Sequence, residues 1–391
     1  MEFKLKELLY WPENDVRPTG GPRGYIYNLL TGLAQIEHPD FDVDCLPSRI
    51  SENNALRNRI RNWTPKRLRD LKRLRKIKGY ATKSMVPSVN FNDYDVVHFH
   101  QVEDLYFVRE ALDSYHGKVV LTSHTPCAPQ QEWLSRLNPR DVIANRDELT
   151  RLNDIAEFAF DRADYIVFPC AEAEEPYYNT WNEYSDIHQR NADKYTYILT
   201  GINSCSVKQS RREVRKQLGI TESDFIVSYI GRHNHIKGYD RLIEYAPMFL
   251  EDPHTWMVVA GKQGEIHSSK YARWVEVGWT DDPYSIMAAS DVFILPNRET
   301  YFDLALLEAL SLGVPIVTTN TGGNKIFAKL DATGIILLDE IEMLPNAIKY
   351  LRRIGKVRRE TLGQSNYQLF LENFRSDVFA KNYITLIKSL Q

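Results

Sequence analysis

The sequence predicts an α/β fold with two domains, each organised around a parallel sheet. Three observations carry this expectation. The chain has 391 residues, more than one hydrophobic core ordinarily serves. Short apolar runs of strand length alternate with helical patterns through both halves, which implies parallel strands joined by right-handed crossovers. Polar residues also gather where the apolar runs end. Open α/β sheets bind nucleotides at that position, because helix N-termini there offer free N–H groups to phosphate.

In chain order, strands are expected at Val96-Val97-His98-Phe99, Val119-Val120-Leu121 and Tyr165-Ile166-Val167-Phe168. Helical patterns separate them, such as residues 143–162. The second half repeats the rhythm at 225–230, 256–260, 275–277, 292–295, 316–318 and 335–338. Tyr197-Ile198-Leu199 runs into Thr200-Gly201-Ile202-Asn203 and a polar stretch through Arg212. That stretch sets the expected boundary: residues 1–203, then 204–375, then a final helix over 376–391.

Hydrophobic residues make up 43% of the chain and charged residues 26%, values ordinary for a soluble globular protein. The net charge of -3 argues against nucleic acid as a partner. Cys45, Cys127, Cys170 and Cys205 are scattered without a CxxC pair. That pattern speaks against a disulfide framework or zinc ribbon and suits a reducing cytosol. The N-terminal residues up to Asn14 are too charged for a signal peptide. No apolar run approaches the ~18 residues a membrane span needs. A cytoplasmic protein is expected, with any membrane contact peripheral.

The densest signal lies between Ser290 and Gly323. An apolar run ends at Pro296, and a polar loop follows. A helical pattern carrying Glu308 leads to Gly313-Val314-Pro315, a second apolar run and Gly322-Gly323. Upstream, Ile230-Gly231-Arg232-His233-Asn234-His235-Ile236-Lys237-Gly238 precedes Asp240-Arg241-Leu242. This segment resembles the G-R-x-x-x-x-K-G-x-x-x-L segment of retaining glycosyltransferases with the GT-B fold, the bacterial polysaccharide enzymes related to sucrose and trehalose synthases. Further stretches fall in that family's order: Gly20-Gly21 with Gly24, Asp95-Val96-Val97-His98-Phe99-His100, Leu121-Thr122-Ser123-His124, Thr200-Gly201-Ile202-Asn203 and Val258-Val259-Ala260-Gly261. Each is weak or moderate alone; the ordered set is strong.

The resemblance implies two Rossmann-like domains facing each other across a cleft. The first would bind a glycan acceptor, the second a nucleotide-sugar donor, with the last helix crossing back to the first domain. It implies a transferase whose nucleotide-sugar, UDP-linked by family frequency, is a substrate, so that no resident cofactor is expected. Arg232 and Lys237 would stabilise the charge that grows on the departing diphosphate, which is the kind of interaction catalysis requires. Glu308 would accept hydrogen bonds from the ribose hydroxyls. Backbone N–H groups of Phe302, Asp303 and Leu304, beside Tyr301, would meet the diphosphate or sugar at a helix start. Gly20, Gly21 and Gly231 would allow close approach of backbone to phosphate.

One departure concerns the first acid of the family's pair. Counting back from Glu308 puts Thr300 in its slot, with Glu299 one residue earlier. Either the loop bulges and Glu299 reaches the donor sugar, or that contact is altered. Asp303 likewise replaces a glycine common after the Phe. In the first half the resemblance puts His124 near the reacting sugar. His98 and His100 share a strand face, but no third ligand at metal-binding spacing accompanies them. Asp93-Tyr94-Asp95 looks like a metal-binding Asp-x-Asp motif. It precedes a buried strand, where acidic turn residues are common, so metal-independent transfer is expected.

A basic segment is the remaining feature. From Arg57 to Lys83, Asp70 is the single acid among many Lys and Arg. Leu56, Ile60 and Trp63 share one helical face. Thr64-Pro65 marks a new start, and Leu68, Leu71, Leu74 and Ile77 follow at intervals of three. A basic helical insertion over 53–83 that carries Arg67, Arg69, Lys72 and Arg73 suits an anionic membrane surface. A polyprenyl-diphosphate-linked acceptor would sit at such a surface. Two other function classes stand beside this reading: a nucleotide-sugar epimerase of the same fold, and a non-catalytic glycosyltransferase partner subunit.

Overall fold

A computed structural model describes residues 4–12, 16–18, 20–46 and 65–390. The described residues form two compact units. The first takes the chain up to Phe168, then Pro176–Ile198 and the residues from Ala380 on; the second takes Pro169–Glu175 and Leu199–Phe379.

The first unit holds β1 (Leu5–Tyr10), α1 (Gly21–Leu33), β2 (Phe41–Leu46), α2 (Lys66–Lys78), β3 (Val96–Phe99), β4 (Lys118–Leu121), α3 (Leu152–Arg162), β5 (Tyr165–Phe168) and β6 (Tyr195–Tyr197). Its six strands run in the order β2-β1-β3-β4-β5-β6, every pairing parallel. The sequence reading had no strand at β1 or β2. The helical pattern expected over 143–162 is broken in the structure: helices end at Ala144 and Leu149 before α3 begins. Asn145 turns its side-chain amide back onto the Asp141 carbonyl at 2.7 Å, a local alternative to helix propagation.

The second unit holds α4 (Arg211–Leu218), β7 (Phe225–Ile230), α5 (Tyr239–Leu250), β8 (Thr255–Ala260), β9 (Trp274–Gly278), β10 (Val292–Leu295), α6 (Leu304–Ser311), β11 (Ile316–Thr319), β12 (Ile335–Leu338), α7 (Leu344–Arg353) and α8 (Gly355–Asn373). Its strand order is β12-β11-β10-β7-β8-β9, again all parallel. Both faces are covered, so β10 is apolar throughout and its period of two sorts side chains between cores. Val292 and Ile294 pack with Leu242, Phe249, Ile348 and Leu351 from α5 and α7. Phe293 and Leu295 pack with Leu306, Leu307 and Leu310 of α6 and Phe370 of α8.

Strand order reverses between β7 and β10. Chain leaving β7 crosses toward β8 and chain leaving β10 crosses toward β11, the reversal at whose strand C-terminal ends open α/β sheets characteristically bind ligands.

The linker segments meet inside the second unit. Ile202 accepts from Ser376 N (2.9 Å) and donates to the Phe374 carbonyl (2.8 Å), and Ser376 Oγ donates to Asn203 Oδ1 at 2.7 Å. The last helix, α9 (Ser376–Ser389), starts there, and its residues from Ala380 on belong to the first unit.

An acidic hub fixes the entry to β10. Asp291 is buried and accepts from Arg215 (2.7 Å), Arg211 (3.0 Å), Arg359 (3.2 Å) and the Ile226 amide (2.8 Å). Arg215 is itself 1% exposed. Asp291→Ala should leave its guanidinium uncompensated and cost about 3–5 kcal/mol. Urea unfolding of the variant against the parent measures this, and a loss under about 1 kcal/mol would contradict the hub.

Candidate functional site

The loop leaving β7 carries Arg232 and Lys237, and its shape is dictated locally. Tyr229 Oη donates to the Arg232 carbonyl at 2.7 Å. Asn234 Oδ1 accepts from the Lys237 amide at 2.9 Å, a side-chain mimic of a backbone turn. Gly238 caps α5 at φ 64° with its backbone against Pro296, so that a Cβ there would collide with the Pro296 carbonyl. Glycine answers both demands.

The loop leaving β10 is bolted to the first loop. Arg298 donates its amide to the Ile236 carbonyl at 2.9 Å and Nη1 to the His235 carbonyl at 2.9 Å. Its guanidinium grips both oxygens of Asp240 at 2.6 Å, the bidentate geometry that adds direction to charge. On the other side, Thr319 Oγ1 donates to the Asn297 carbonyl (2.7 Å), Thr321 Oγ1 to the Arg298 carbonyl (3.0 Å) and the Gly323 amide to the Thr300 carbonyl (3.2 Å). A Cβ on Gly323 would strike the Tyr301 carbonyl. The Gly322-Gly323 turn therefore serves as packing for the 299–303 loop.

Asp303 closes the arrangement. Its Oδ2 accepts from Lys237 Nζ at 2.7 Å and from Asn297 Nδ2 at 2.8 Å. Burial works to raise the Asp303 carboxyl. The Lys237 charge, with hydrogen bonds from Lys237 and Asn297, outweighs it and holds the group below the usual carboxylate range. Lys237 therefore carries a counter-ion of its own. Arg232 is exposed and makes no ion pair among the described residues.

Helix α6 starts at Leu304 with Asp303 as its N-cap. Glu308 lies on this helix, and Tyr284 Oη donates to its Oε1 at 3.2 Å. Burial pushes the Glu308 carboxyl up to about 7; the Tyr284 bond opposes this and the Asp303 charge adds to it. Beside it, burial and the Glu308 charge push the Cys205 thiol up to about 12. Of the two residues competing for the first acid position, Thr300 is buried and Glu299 is half-buried. Tyr301 is buried, and Phe302 stacks on Phe327 with ring centroids 6.4 Å apart. Gly231 lies between β7 and the Arg232 loop, its amide bonded to the Ala260 carbonyl at 3.0 Å.

The remaining candidates belong to the first unit. Gly20 and Gly21 open α1 at φ 78° and 27°; a Cβ at either meets nothing within 4 Å, so backbone conformation, not crowding, calls for glycine. His124, at φ 60°, follows β4 and stacks on His100, with His100 Nδ1 and His124 Nε2 3.0 Å apart. Burial, then the neighbouring His100 and His98, hold its pKa well below the ordinary histidine value, so the ring is neutral at pH 7. His98 is engaged through both nitrogens, with Tyr383 at 2.6 Å and Thr122 at 2.8 Å.

On α2, Arg67, Arg69 and Lys72 are exposed beside Leu68 and Leu71, which are 51% and 47% exposed. Arg73 is also exposed but tied down, donating to the Arg136 carbonyl at 2.7 Å. The expected helical face of Leu56, Ile60 and Trp63 lies outside the described residues. Sequence reasoning missed the Arg298–Asp240 and Tyr284–Glu308 pairs. It noticed Asp303 as a departure from glycine without foreseeing its bond to Lys237.

The family described as glycosyl transferases group 1 matches residues 210–368. The O-antigen biosynthesis glycosyltransferase WclY of Escherichia coli is 25% identical over 222 residues, covering 52% of this chain and 61% of the relative. The UDP-Gal:alpha-D-GlcNAc-diphosphoundecaprenol alpha-1,3-galactosyltransferase of Escherichia coli is 30% identical over 146 residues, covering 34% of this chain and 38% of the relative. The match thus spans less than two thirds of either. Among solved structures, the sucrose-phosphate synthase of Thermosynechococcus elongatus superposes with a TM-score of 0.66 at 18% identity, covering 99% of each chain. The fold is GT-B.

The Glu308 carboxyl sets a pH dependence. Its folded-state pKa of about 7 stands above the ordinary 4.5, so the folded protein holds a proton that the unfolded chain releases. Stability is then fully present below the unfolded value and falls, by up to about 3 kcal/mol, as pH rises to and through the folded one. Glu308→Gln should remove that slope. Urea unfolding at about pH 5 and about pH 8 should show the parent losing roughly 2–3 kcal/mol relative to the variant, and parallel losses in both would refute the assignment.

Proposed function

Residues 210–368 form a glycosyl transferases group 1 domain, and from that premise we propose a glycosyltransferase that moves one sugar from a UDP-sugar to a glycan acceptor in cell-surface polysaccharide synthesis. One observation carries the reading. The second unit holds Arg232 and Lys237 after β7 and Glu308 after β10, at the point where its parallel sheet changes direction, the place where such sheets receive nucleotides.

In the proposed reaction the bond between the anomeric carbon and the phosphate oxygen breaks, and its electron pair stays on the nucleoside diphosphate. The acceptor hydroxyl oxygen bonds to the same carbon on the same face, and its proton passes to the departing phosphate. The configuration is retained, and the nucleotide-sugar is consumed as a substrate rather than held as a cofactor. Arg232 and Lys237 meet the charge developing on the diphosphate, which a fixed cation stabilises more in the transition state than before it. This is the basis for proposing transfer without a metal ion. Glu308 receives the ribose hydroxyls, and the half-buried Glu299 takes the sugar contact in place of buried Thr300. In the first unit the neutral His124 serves the acceptor as a hydrogen-bond partner.

Among the described residues no helix is long and apolar enough to cross a membrane. We assign the acceptor to the lipid-linked class on two grounds: the exposed Arg67, Arg69, Lys72 and neighbouring leucines of α2, and a relative whose name includes a diphosphoundecaprenol acceptor.

Because Arg232 is exposed and carries no ion pair among the described residues, Arg232→Ala tests the site without loosening the fold. Transfer from a UDP-sugar should fall roughly 100-fold at unchanged melting temperature; full activity would end the reading. Donor incubated alone should remain unconverted, whereas a new sugar isomer would identify an epimerase. Replacing Arg67, Arg69, Lys72 and Arg73 together by Ser should weaken flotation with phosphatidylserine vesicles more than about tenfold, since each basic residue near such a surface contributes about 1 kcal/mol. Nucleotide affinity should not change, and unaltered flotation would remove α2 from the membrane.

A further inference from the structure

The proposed chemistry asks Lys237 for positive charge, yet the structure gives that lysine a carboxylate of its own. Asp303 is not a casual surface partner. It is buried, and its Oδ2 takes Lys237 Nζ at 2.7 Å and Asn297 Nδ2 at 2.8 Å. Its backbone is the N-cap of the helix that carries Glu308. The two loops that hold the pair are themselves locked by Arg298 on Asp240 and by Gly238 against Pro296. This frame fixes the backbone of Lys237, and the bond to Asp303 orients its side chain. An ammonium group has three donors, so the lysine can hold an anion while keeping its bond to Asp303.

We propose that Asp303 is a positioning residue that fixes Lys237 and, as its permanent counter-ion, weakens the grip of the site on the nucleoside diphosphate so that this product leaves. The proposal rests on the donor-site reading above. The geometry limits how far apart the two anions can be. A phosphate oxygen bonded to Lys237 lies about 2.8 Å from Nζ, and Asp303 Oδ2 lies 2.7 Å from the same nitrogen. The carboxylate and the phosphate therefore stand within about 5.5 Å of each other, a separation at which like charges repel appreciably in a partly buried site. The ligand meets a lysine already oriented, and a local charge already partly cancelled.

Asp303→Asn keeps the shape and the hydrogen-bonding oxygen while removing the charge. It should bind a nucleoside diphosphate roughly tenfold tighter, a fold-change set by removing one nearby like charge and discounted for solvent. Its affinity for the free nucleoside should change far less, through Glu308 alone, whose carboxyl the Asp303 charge raises. In turnover, KM for the donor and kcat should fall together, because tighter binding of ground state and product does not speed the chemical step. A variant that merely loosened the loop would instead raise KM. Asp303→Gly is a second charge-removing variant that the backbone accepts, and its affinity should move in the same direction. Isothermal calorimetry with UDP, GDP and ADP, and with uridine, guanosine and adenosine, reads these outcomes. If the parent binds none of the diphosphates, the donor-site reading falls. If it binds one and both variants bind it no tighter, or if the nucleoside tightens equally, Asp303 has no such role and the donor-site reading stands.

Discussion

The close approach of backbone to backbone at Gly238 and Pro296 governs the second unit's functional end. A left-handed glycine lets the loop from β7 lie against the loop from β10, and no side chain fits between them. With that contact made, Arg298 reaches Asp240, Lys237 reaches Asp303, and the start of α6 is set by the same residue that holds the lysine. The two loops are thereby joined into one rim at the sheet's reversal point. Rigidity of this kind is what electrostatic catalysis needs, since fixed dipoles and charges act without reorganising when the reaction occurs.

That rim also explains why its ionisable groups behave so differently. Asp303 and Glu308 are both carboxylates withdrawn from water. Asp303 has a cation and an amide donor and stays ionised; among the described residues Glu308 has only a tyrosine hydroxyl and is pushed up to about 7. The difference lies in what faces each group, not in depth. A carboxyl that titrates near neutrality can offer either an acceptor or a donor.

The sequence made the second unit more legible than the first. Strand β10 coincides with its apolar run because it is buried along its whole length and nothing polar interrupts it; β7 and β12 also coincide with theirs, although Ser228 interrupts the first and the middle of the second is only partly buried at the sheet edge. By contrast β1 reads Leu-Lys-Glu-Leu-Leu-Tyr, and its charges hid it. Glu7 is wholly buried, and its partner Tyr383 lies 376 positions away. No local pattern announces a buried acid whose hydrogen bond arrives from the far end of the chain. β2 alternates acids along an edge of the sheet, where one side meets water. The site shows the same division. Gly231, Arg232, Lys237, Gly238 and Glu308 were singled out through the family resemblance of their segments, whereas the coupling of Lys237 to Asp303 crosses 66 positions and no local pattern announces it.

The dependence of the first unit on residues beyond Ala380 has a consequence for synthesis on the ribosome. Tyr383 and Ile387 are fully buried there, and Lys388 pairs with Asp40. The unit begun first is therefore completed last, while residues 199–379 are translated in full before it. Nascent chain normally folds from its N-terminus; here the early sheet waits, its Glu7 carboxyl without the tyrosine that covers it, until the closing helix has left the exit tunnel.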